Sequence, residues 1–370
     1  MTDAFDIAIV GAGMAGASIA AELAEVLAVQ GAQRIVLLEA ESQPGYHSTG
    51  RSAAFWEECY GGPAIVPLTL ASGPYLKEGG FLTPRGALYL AREEDEPKID
   101  AHFENFGNTG AQFERIGRDR LEAMVPTLKP HWDRAIWQGR CADIDVAGLH
   151  QHYLSQGKRH GVQLLCNARV TGLTRGEEWT IALADGRTLT ADRIINAAGA
   201  WADPIAQMAG AMPLSIQPLR RTVVQLRVDP APPADLPLCL DISGGFYFKP
   251  ESGRLWLSPH DETPSDPTDA APEELDVALA IDRLEKVSSW QVKAVERKWA
   301  GLRSFAPDRK PVYGFDGEVP DFFWFAGQGG YGIQTAPAAA RLGAQLFLGI
   351  PCDEMTASIE PANYSPERLR

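Results

Sequence analysis

The sequence predicts an α/β fold in which an open, mostly parallel sheet with crossover helices is interleaved with a second, mostly antiparallel β unit. Three observations carry the prediction. An apolar run, Phe5 to Val10, passes into Gly11-Ala-Gly13-Met-Ala-Gly16 and then an Ala-rich helical stretch. A second strand-to-glycine-to-helix junction, Phe322 to Thr335, lies near the other end. Between them, Pro213 to about Ala300 reads as strand after strand.

The first junction has the order of a Rossmann-like dinucleotide site. Gly11 allows the turn out of the strand, Gly13 lets backbone approach a pyrophosphate, and Gly16 permits close packing of helix on strand. The helix reads on to Gly31, about one turn longer than the usual spacing, which lengthens it without moving its phosphate end. A second apolar run, Ile35 to Leu38, ends at Glu39, where an acidic side chain hydrogen-bonds an adenosine ribose.

Then comes a polar, small-residue loop, Glu41 to Ala54, suited to a ligand lying against backbone. Phe81 to Ala91 reads as strands around Pro84-Arg-Gly86, and Glu93 to Phe106 as a charged surface helix. Ala147 to Gly161 is a helix, Val162 to Cys166 a strand, and Asn167 to Thr190 a pair of short strands. The apolar run from Arg193 into Asn196-Ala-Ala-Gly199-Ala-Trp201 returns the chain to the nucleotide unit. Strands at Thr222 to Val228, Gly245 to Lys249 and Arg254 to Ser258 build the second unit, and Asp261 to Glu274 is a Pro/Asp/Glu-rich surface segment. The expected division is a discontinuous nucleotide-binding domain, 1–80 with 145–212 and 305–370, and a substrate domain, 81–144 with 213–304.

Composition narrows the function. With 34 basic against 48 acidic residues, the net charge of −14 repels nucleic acid and anionic membranes and favours a small-molecule partner. The cysteines, Cys59, Cys141, Cys166, Cys239 and Cys352, are odd in number and never in a CxxC pair, so neither a disulfide framework nor a metal site is expected. His150 and His152, two apart on a helix, point to different sides, which is poor geometry for one metal. A reducing cytoplasm fits, no signal peptide is read, and no apolar run has the length of a membrane span.

Two glycine-rich helix starts at opposite ends of the chain exceed what NAD requires, because a plain nucleotide domain uses its fingerprint once. FAD accounts for both. The first holds the pyrophosphate; the second directs a positive helix end at the flavin pyrimidine, where charge develops on reduction.

These motifs, together with Gly45-Tyr-His-Ser-Thr-Gly-Arg51-Ser-Ala-Ala54, Trp299-Ala-Gly-Leu-Arg-Ser304 and Gly327-Gln-Gly-Gly-Tyr-Gly-Ile-Gln-Thr335, resemble the D-amino acid oxidase superfamily of flavoproteins over essentially the whole chain. The likeness is strongest to its bacterial D-arginine dehydrogenases and looser to glycine and sarcosine oxidases. It implies noncovalent FAD. At the N-terminal junction it implies contacts from Gly11, Gly13, Ala15, Gly16, Glu39 and Ala40, and in the following loop from Ser48, Thr49, Arg51, Ser52 and Ala53. It adds Val170, Ala198, Gly199 and Trp201, and then Gly330, Tyr331, Gly332, Ile333 and Gln334. Arg221, Arg303 and Tyr247 match groups that hold a substrate carboxylate, with Tyr60 as a lid and the Gly330 carbonyl near the amine. A guanidinium fork suits that carboxylate, though neighbouring Arg220 takes the place of Arg221 if the strand register slips by one. His47 lies in the flavin loop, while Trp132, Trp137 and Trp201 look like packing residues.

Departures from the arginine enzymes set the expected substrate. Ala87 stands where they have a glutamate for the guanidinium, and Phe55 where they have a pocket histidine; Leu238 and Leu240 continue the apolar trend. Glu57 replaces a smaller residue and is expected, solvated, at the pocket mouth. The implied reaction is FAD-dependent oxidation of a D-amino acid with an apolar or neutral side chain to the imino acid, which hydrolyses to a 2-oxo acid and ammonia. An N-substituted amino acid or a 2-hydroxy acid is the alternative substrate. An RNA-modifying flavoprotein is the alternative of another class, opposed by the acidic balance. Oxygen, a quinone and a redox protein all stand as electron acceptors, since access to one face of the ring decides among them.

Overall fold

The computed structural model describes residues 3–31 and 34–370, and two large sheets organise them. The parallel centre of the first runs Gln163–Leu165, Ile35–Leu38, Asp3–Val10, Thr188–Asn196, Phe322–Ala326. Val170–Arg175, Trp179–Leu183 and Val312–Phe315 complete its eight strands in antiparallel pairings. Ile35–Leu38 and Phe322–Ala326 are buried at every position, which is why they read as unbroken apolar runs rather than alternating ones.

Helices Met14–Gln30 and Ala336–Leu348 cover one face of this sheet, packing Ile19, Leu23, Leu27 and Leu342 on Ile7, Ile9 and Phe323. Each such side chain gains about 1.5–3 kcal/mol by leaving water. Close approach is possible because Gly16 has no side chain: a Cβ there would lie 1.8 Å from the Gly11 carbonyl oxygen. The helix of 17 residues reaches Gln30, as its extended spacing implies.

The second sheet has nine strands and is antiparallel except where Leu238–Asp241 runs beside Ala87–Ala91. Its spine is the long pair Gln217–Asp229 and Gln291–Phe305, with Leu219 opposite Arg303 and Arg221 opposite Gly301. A small sheet of Phe55–Trp56, Leu82–Pro84 and Ala142–Ile144 lies alongside.

Among the described residues four helices lie where the sequence suggests none, the short Arg118–Met124 and Ala202–Met208 and two longer ones. Val66–Glu78 is masked by Pro67 and Pro74, one tolerated in the first turn and the other inside the helix, with Gly73 pressed on Trp56. Glu274–Val287 falls in a region that otherwise reads as strands. Its Val277, Ala280, Leu284 and Val287 recur at helical spacing and are buried over the second sheet. Among the described residues no helix is long and apolar enough to cross a membrane.

Candidate active site

A cavity of about 510 Å³ runs between the two sheets, past the carboxyl ends of the parallel strands. Val10, Leu38 and Ala197 close those strand ends, and Gly11, Gly13 and Ala15 bring the start of the first helix to the wall. The N–H groups of a first helical turn lack intrahelical acceptors, so this end suits a phosphate. Thr49 Oγ1 accepts the Met14 N–H at 2.9 Å and joins the Gly45–Ala53 loop to that turn.

Glu39 is buried at the far end, its carboxylate accepting the N–H groups of Ala12 at 3.2 Å and Glu41 at 3.0 Å. Burial pushes its pKa up while those two bonds pull it down. Its orientation is thus fixed, with lone pairs left over for a diol. Ala40, Val170, Ala198, Gly199 and Trp201 line the same end; Trp201 rests on His47, whose Nε2 lies 3.2 Å from Glu41.

Ser48, Arg51, Ser52 and Ala53 form one side of the middle of the cavity, and Gly330, Gly332 and Ile333 another. The Ser48 hydroxyl donates to the Leu302 carbonyl at 2.6 Å. Arg51 is pinned to the carbonyls of Ala270 at 2.8 Å and Ala300 at 3.1 Å and pairs with Asp269. The elongated cavity, glycine-lined at both helix starts and acidic at one end, fits a dinucleotide carrying a second ring system.

Three expected cofactor residues lie off this cavity. Gly16 acts behind the wall, through the packing already described. Tyr331 is buried with its hydroxyl on the Arg309 carbonyl and its ring against Phe305. Gln334 spends its amide on the chain around Tyr60: it accepts from the Glu57 N–H and donates to the carbonyls of Glu57 and Tyr60 and to Thr69 Oγ1. Gln334 nevertheless lines the smaller pocket beside Tyr60, and the turn it staples comes from a part of the chain more than 270 residues away.

Opposite the glycines stand Arg221, Tyr247 and Arg303. Register settles the choice between the two adjacent arginines. Leu219 faces Arg303 across the strand pair, and Arg221 lies two positions on, so Arg221 and Arg303 project from the same face. Arg220 projects from the other, where it pairs with Glu273 and Asp276. Arg221 is 4 % exposed; its Nε donates to the Asp261 carbonyl at 2.7 Å and Nη2 to Glu262 at 3.3 Å, while Nη1 is buried without a partner. Burial and the neighbouring Arg303 cation push its pKa down. Two guanidinium groups on one buried face, one with an unsatisfied donor, form a site for an anion with paired acceptors.

Arg303 Nη1 donates to the Tyr60 hydroxyl at 2.6 Å, placing Tyr60 over the arginine. A smaller pocket beside them is lined by Phe55, Tyr60, Tyr247, Gly330 and Ile333. Phe55 meets Tyr60 and Tyr247 edge-on at 5.1 and 6.1 Å. Ala87, Leu238 and Leu240 are buried behind it in the same apolar cluster.

Glu57 is not at the mouth. It is fully buried, with Oε2 accepting the Tyr89 hydroxyl at 2.6 Å and Oε1 the Cys59 N–H at 3.2 Å. Burial pushes its pKa up to about 7, against the pull of those two bonds. Alternation explains the placement: Phe55 packs on the apolar cluster, Trp56 on the opposite side, and Glu57 returns to the Phe55 side.

His260 belongs to no motif, yet it stands near the face that carries Arg221 and Arg303. Its ring meets Tyr247 edge-on at 5.8 Å, and Nδ1 donates to the Gly244 carbonyl at 2.9 Å. Burial and the cations of Arg221 and Arg303 push its pKa down to about 3, so it stays neutral.

Comparison with known proteins gives one consistent picture. The family model described as DAO, FAD dependent oxidoreductase, matches residues 6–346. The chain is 24% identical over 395 residues to FAD-dependent oxidoreductase domain-containing protein 1 of Xenopus laevis, covering 93% of this chain and 79% of the relative. Among solved structures it is similar to L-proline dehydrogenase from P. horikoshii, with TM-score 0.85, 22% identity and coverage of 100% of this chain and 98% of that one. It is also similar to glycine oxidase from Geobacillus kaustophilus, with TM-score 0.82, 22% identity and coverage of 97% and 98%.

Proposed function

Since the chain belongs to the DAO family of FAD-dependent oxidoreductases, we propose that it oxidises an α-amino acid, specifically a D-amino acid with an apolar or neutral side chain. The observation that carries the reading is the pair Arg221 and Arg303 on one buried face beside Tyr247, with Arg221 Nη1 unsatisfied. A substrate carboxylate supplies the missing acceptor. Two of the similar structures are named for enzymes of small amino acids, which agrees with that class. The D configuration rests on the likeness to the D-arginine dehydrogenases.

In this reading Arg303 and Arg221 clamp the carboxylate, Tyr247 and Tyr60 add hydroxyl donors, and the side chain points to the Phe55 wall. The Gly330 carbonyl accepts from the amine, fixing the substrate at three points and hence one face of Cα. When bound, FAD supplies the two-electron acceptor. The protein supplies position, which is worth several kcal/mol when the reacting atoms are held in line. The imino acid released is hydrolysed by water to a 2-oxo acid and ammonia.

The similarity to a proline dehydrogenase gives the secondary amine the second place, because proline carries one. An anaerobic screen tests both. Bleaching of the flavin by apolar D-amino acids, with little response to L-amino acids, N-methyl amino acids or 2-hydroxy acids, is the expected result. Bleaching by N-methyl amino acids or 2-hydroxy acids alone moves the assignment to the alternative substrates.

A further inference from the structure

Glu57 is a fully buried carboxyl next to the side-chain wall, and its setting is unusual. Among the described residues, the titratable groups that act on it are neutral or acidic: Tyr89 from the strand Ala87–Ala91, Cys141 ahead of the strand Ala142–Ile144, and Glu58, Cys59 and Tyr60 from its own loop. Glu58 is already paired with Arg140 at 2.8 Å, and among the described residues no cation lies within ion-pairing distance of Glu57. An unpaired buried carboxylate is costly, so the uncharged acid is the form that suits this pocket.

The same residue opens the turn that carries Tyr60. The Tyr60 N–H donates to the Glu57 carbonyl at 3.2 Å, the Cys59 N–H to its side chain, and Gln334 ties the carbonyls of Glu57 and Tyr60 together. Three residues on, the Tyr60 hydroxyl accepts from Arg303 and keeps its own hydrogen to donate. The geometry of the Glu57 side chain therefore reaches the carboxylate site through one short turn.

We propose that Glu57, in its uncharged form, is a positioning residue that holds Tyr60 on Arg303, so that ionising Glu57 loosens the carboxylate site. The proposal rests on the reading of Arg221 and Arg303 as that site. Ionisation puts a second negative charge beside Glu58 in an apolar pocket, and the turn yields rather than Tyr89, which a central sheet strand fixes.

Benzoate, a carboxylate with no Cα hydrogen to lose, tests this on the FAD-loaded protein through the shift it causes in flavin absorbance. From about pH 6 to about pH 8.5 the wild-type dissociation constant should rise about tenfold, the equivalent of one hydrogen bond to a charged group. Glu57→Gln should keep the low-pH affinity throughout. Tyr60→Phe should bind weakly at every pH with no step. Tyr89→Phe, which removes a donor that favours the charged form, should move the step to higher pH and serves if Glu57→Gln does not fold. A step that persists in Glu57→Gln, one that Tyr89→Phe leaves unmoved, or a flat wild-type profile overturns the proposal. Arg303→Met separates the two readings. It should abolish benzoate binding at every pH, and binding that survives it overturns the carboxylate site and this proposal together, whereas failure of the Glu57 or Tyr89 arms alone leaves the site standing.

Discussion

The Tyr60 hydroxyl sits 2.6 Å from Arg303 Nη1 and accepts its hydrogen bond, so the phenol and the guanidinium form a pair without any ligand. Such a bond to a charged group contributes about 1.5–3 kcal/mol. Because the phenol retains its own hydrogen, the pair presents donors from both partners. Tyr60→Phe should therefore raise the substrate KM about tenfold or more while kcat changes little, which steady-state kinetics will show. A fall in kcat with KM unchanged would place Tyr60 in the reacting geometry instead.

Arg303 itself should matter more. It lies in a buried strand pair beside Arg221, and lysine cannot reproduce two parallel N–H bonds to a carboxylate. Arg303→Met should lower kcat/KM by about 3 kcal/mol, more than a hundredfold, and Arg303→Lys should recover little of it. The flavin absorbance spectrum should survive both changes. Near wild-type turnover in the methionine variant would remove Arg303 from the site.

How much of this was legible in the sequence depends on whether the signal is local. Gly11, Gly13, Glu39 and the run Phe322–Ala326 announce themselves because turn, helix start and buried strand each leave a short-range pattern. Arg221 against Arg220 was legible only as a pair, since the choice depends on strand register, which only the pairing with Gln291–Phe305 fixes. The burial of Glu57 and the bonds that hold Gln334 escaped the sequence for a like reason. Their partners, Tyr89 for one and the Tyr60 turn for the other, come from distant segments, and no spacing within either segment points to them. His260 carries no motif at all, and its place beside Tyr247 follows from the strand pairing of Tyr247 with Ser258.

The cofactor should be tightly held but not covalently attached. The start of the first helix and the glycine loop ahead of the last one both line the cavity and offer backbone donors, and the cavity fits a dinucleotide. Acid precipitation should leave the yellow flavin in the supernatant. Colour remaining in the pellet would contradict noncovalent binding.

Stability should depend on pH through Glu57. Its pKa rises on folding from 4.5 to about 7, so the folded state binds the proton more tightly. The contribution is fully present below about pH 4.5 and is lost as pH rises through about 7, on the order of 3 kcal/mol in all. Urea titrations at a series of pH values should show this decline in the wild type and a flatter profile in Glu57→Gln. Equal slopes in the two proteins would mean that Glu57 is ionised throughout.

Specificity should follow from the apolar wall. Phe55 lines the smaller pocket while Ala87, Leu238 and Leu240 do not reach it and only back Phe55; none of the four offers an anion to a guanidinium, and Glu57 is engaged by Tyr89 rather than turned to the pocket. A cationic side chain therefore loses its hydration without a partner, while a leucine- or phenylalanine-sized one gains about 1.5–3 kcal/mol on burial. Apolar D-amino acids should reduce the flavin faster than D-arginine or D-lysine at equal low concentration. Ala87 is fully buried, so Ala87→Glu alone both crowds the cluster and sets a second carboxyl near Glu57. Pairing it with Phe55→His makes room and polar company, and that double variant should shift kcat/KM towards the basic substrates by about tenfold or more. If the wild type already prefers D-arginine, the apolar wall does not set specificity, and Glu57 must turn from Tyr89 to meet the guanidinium.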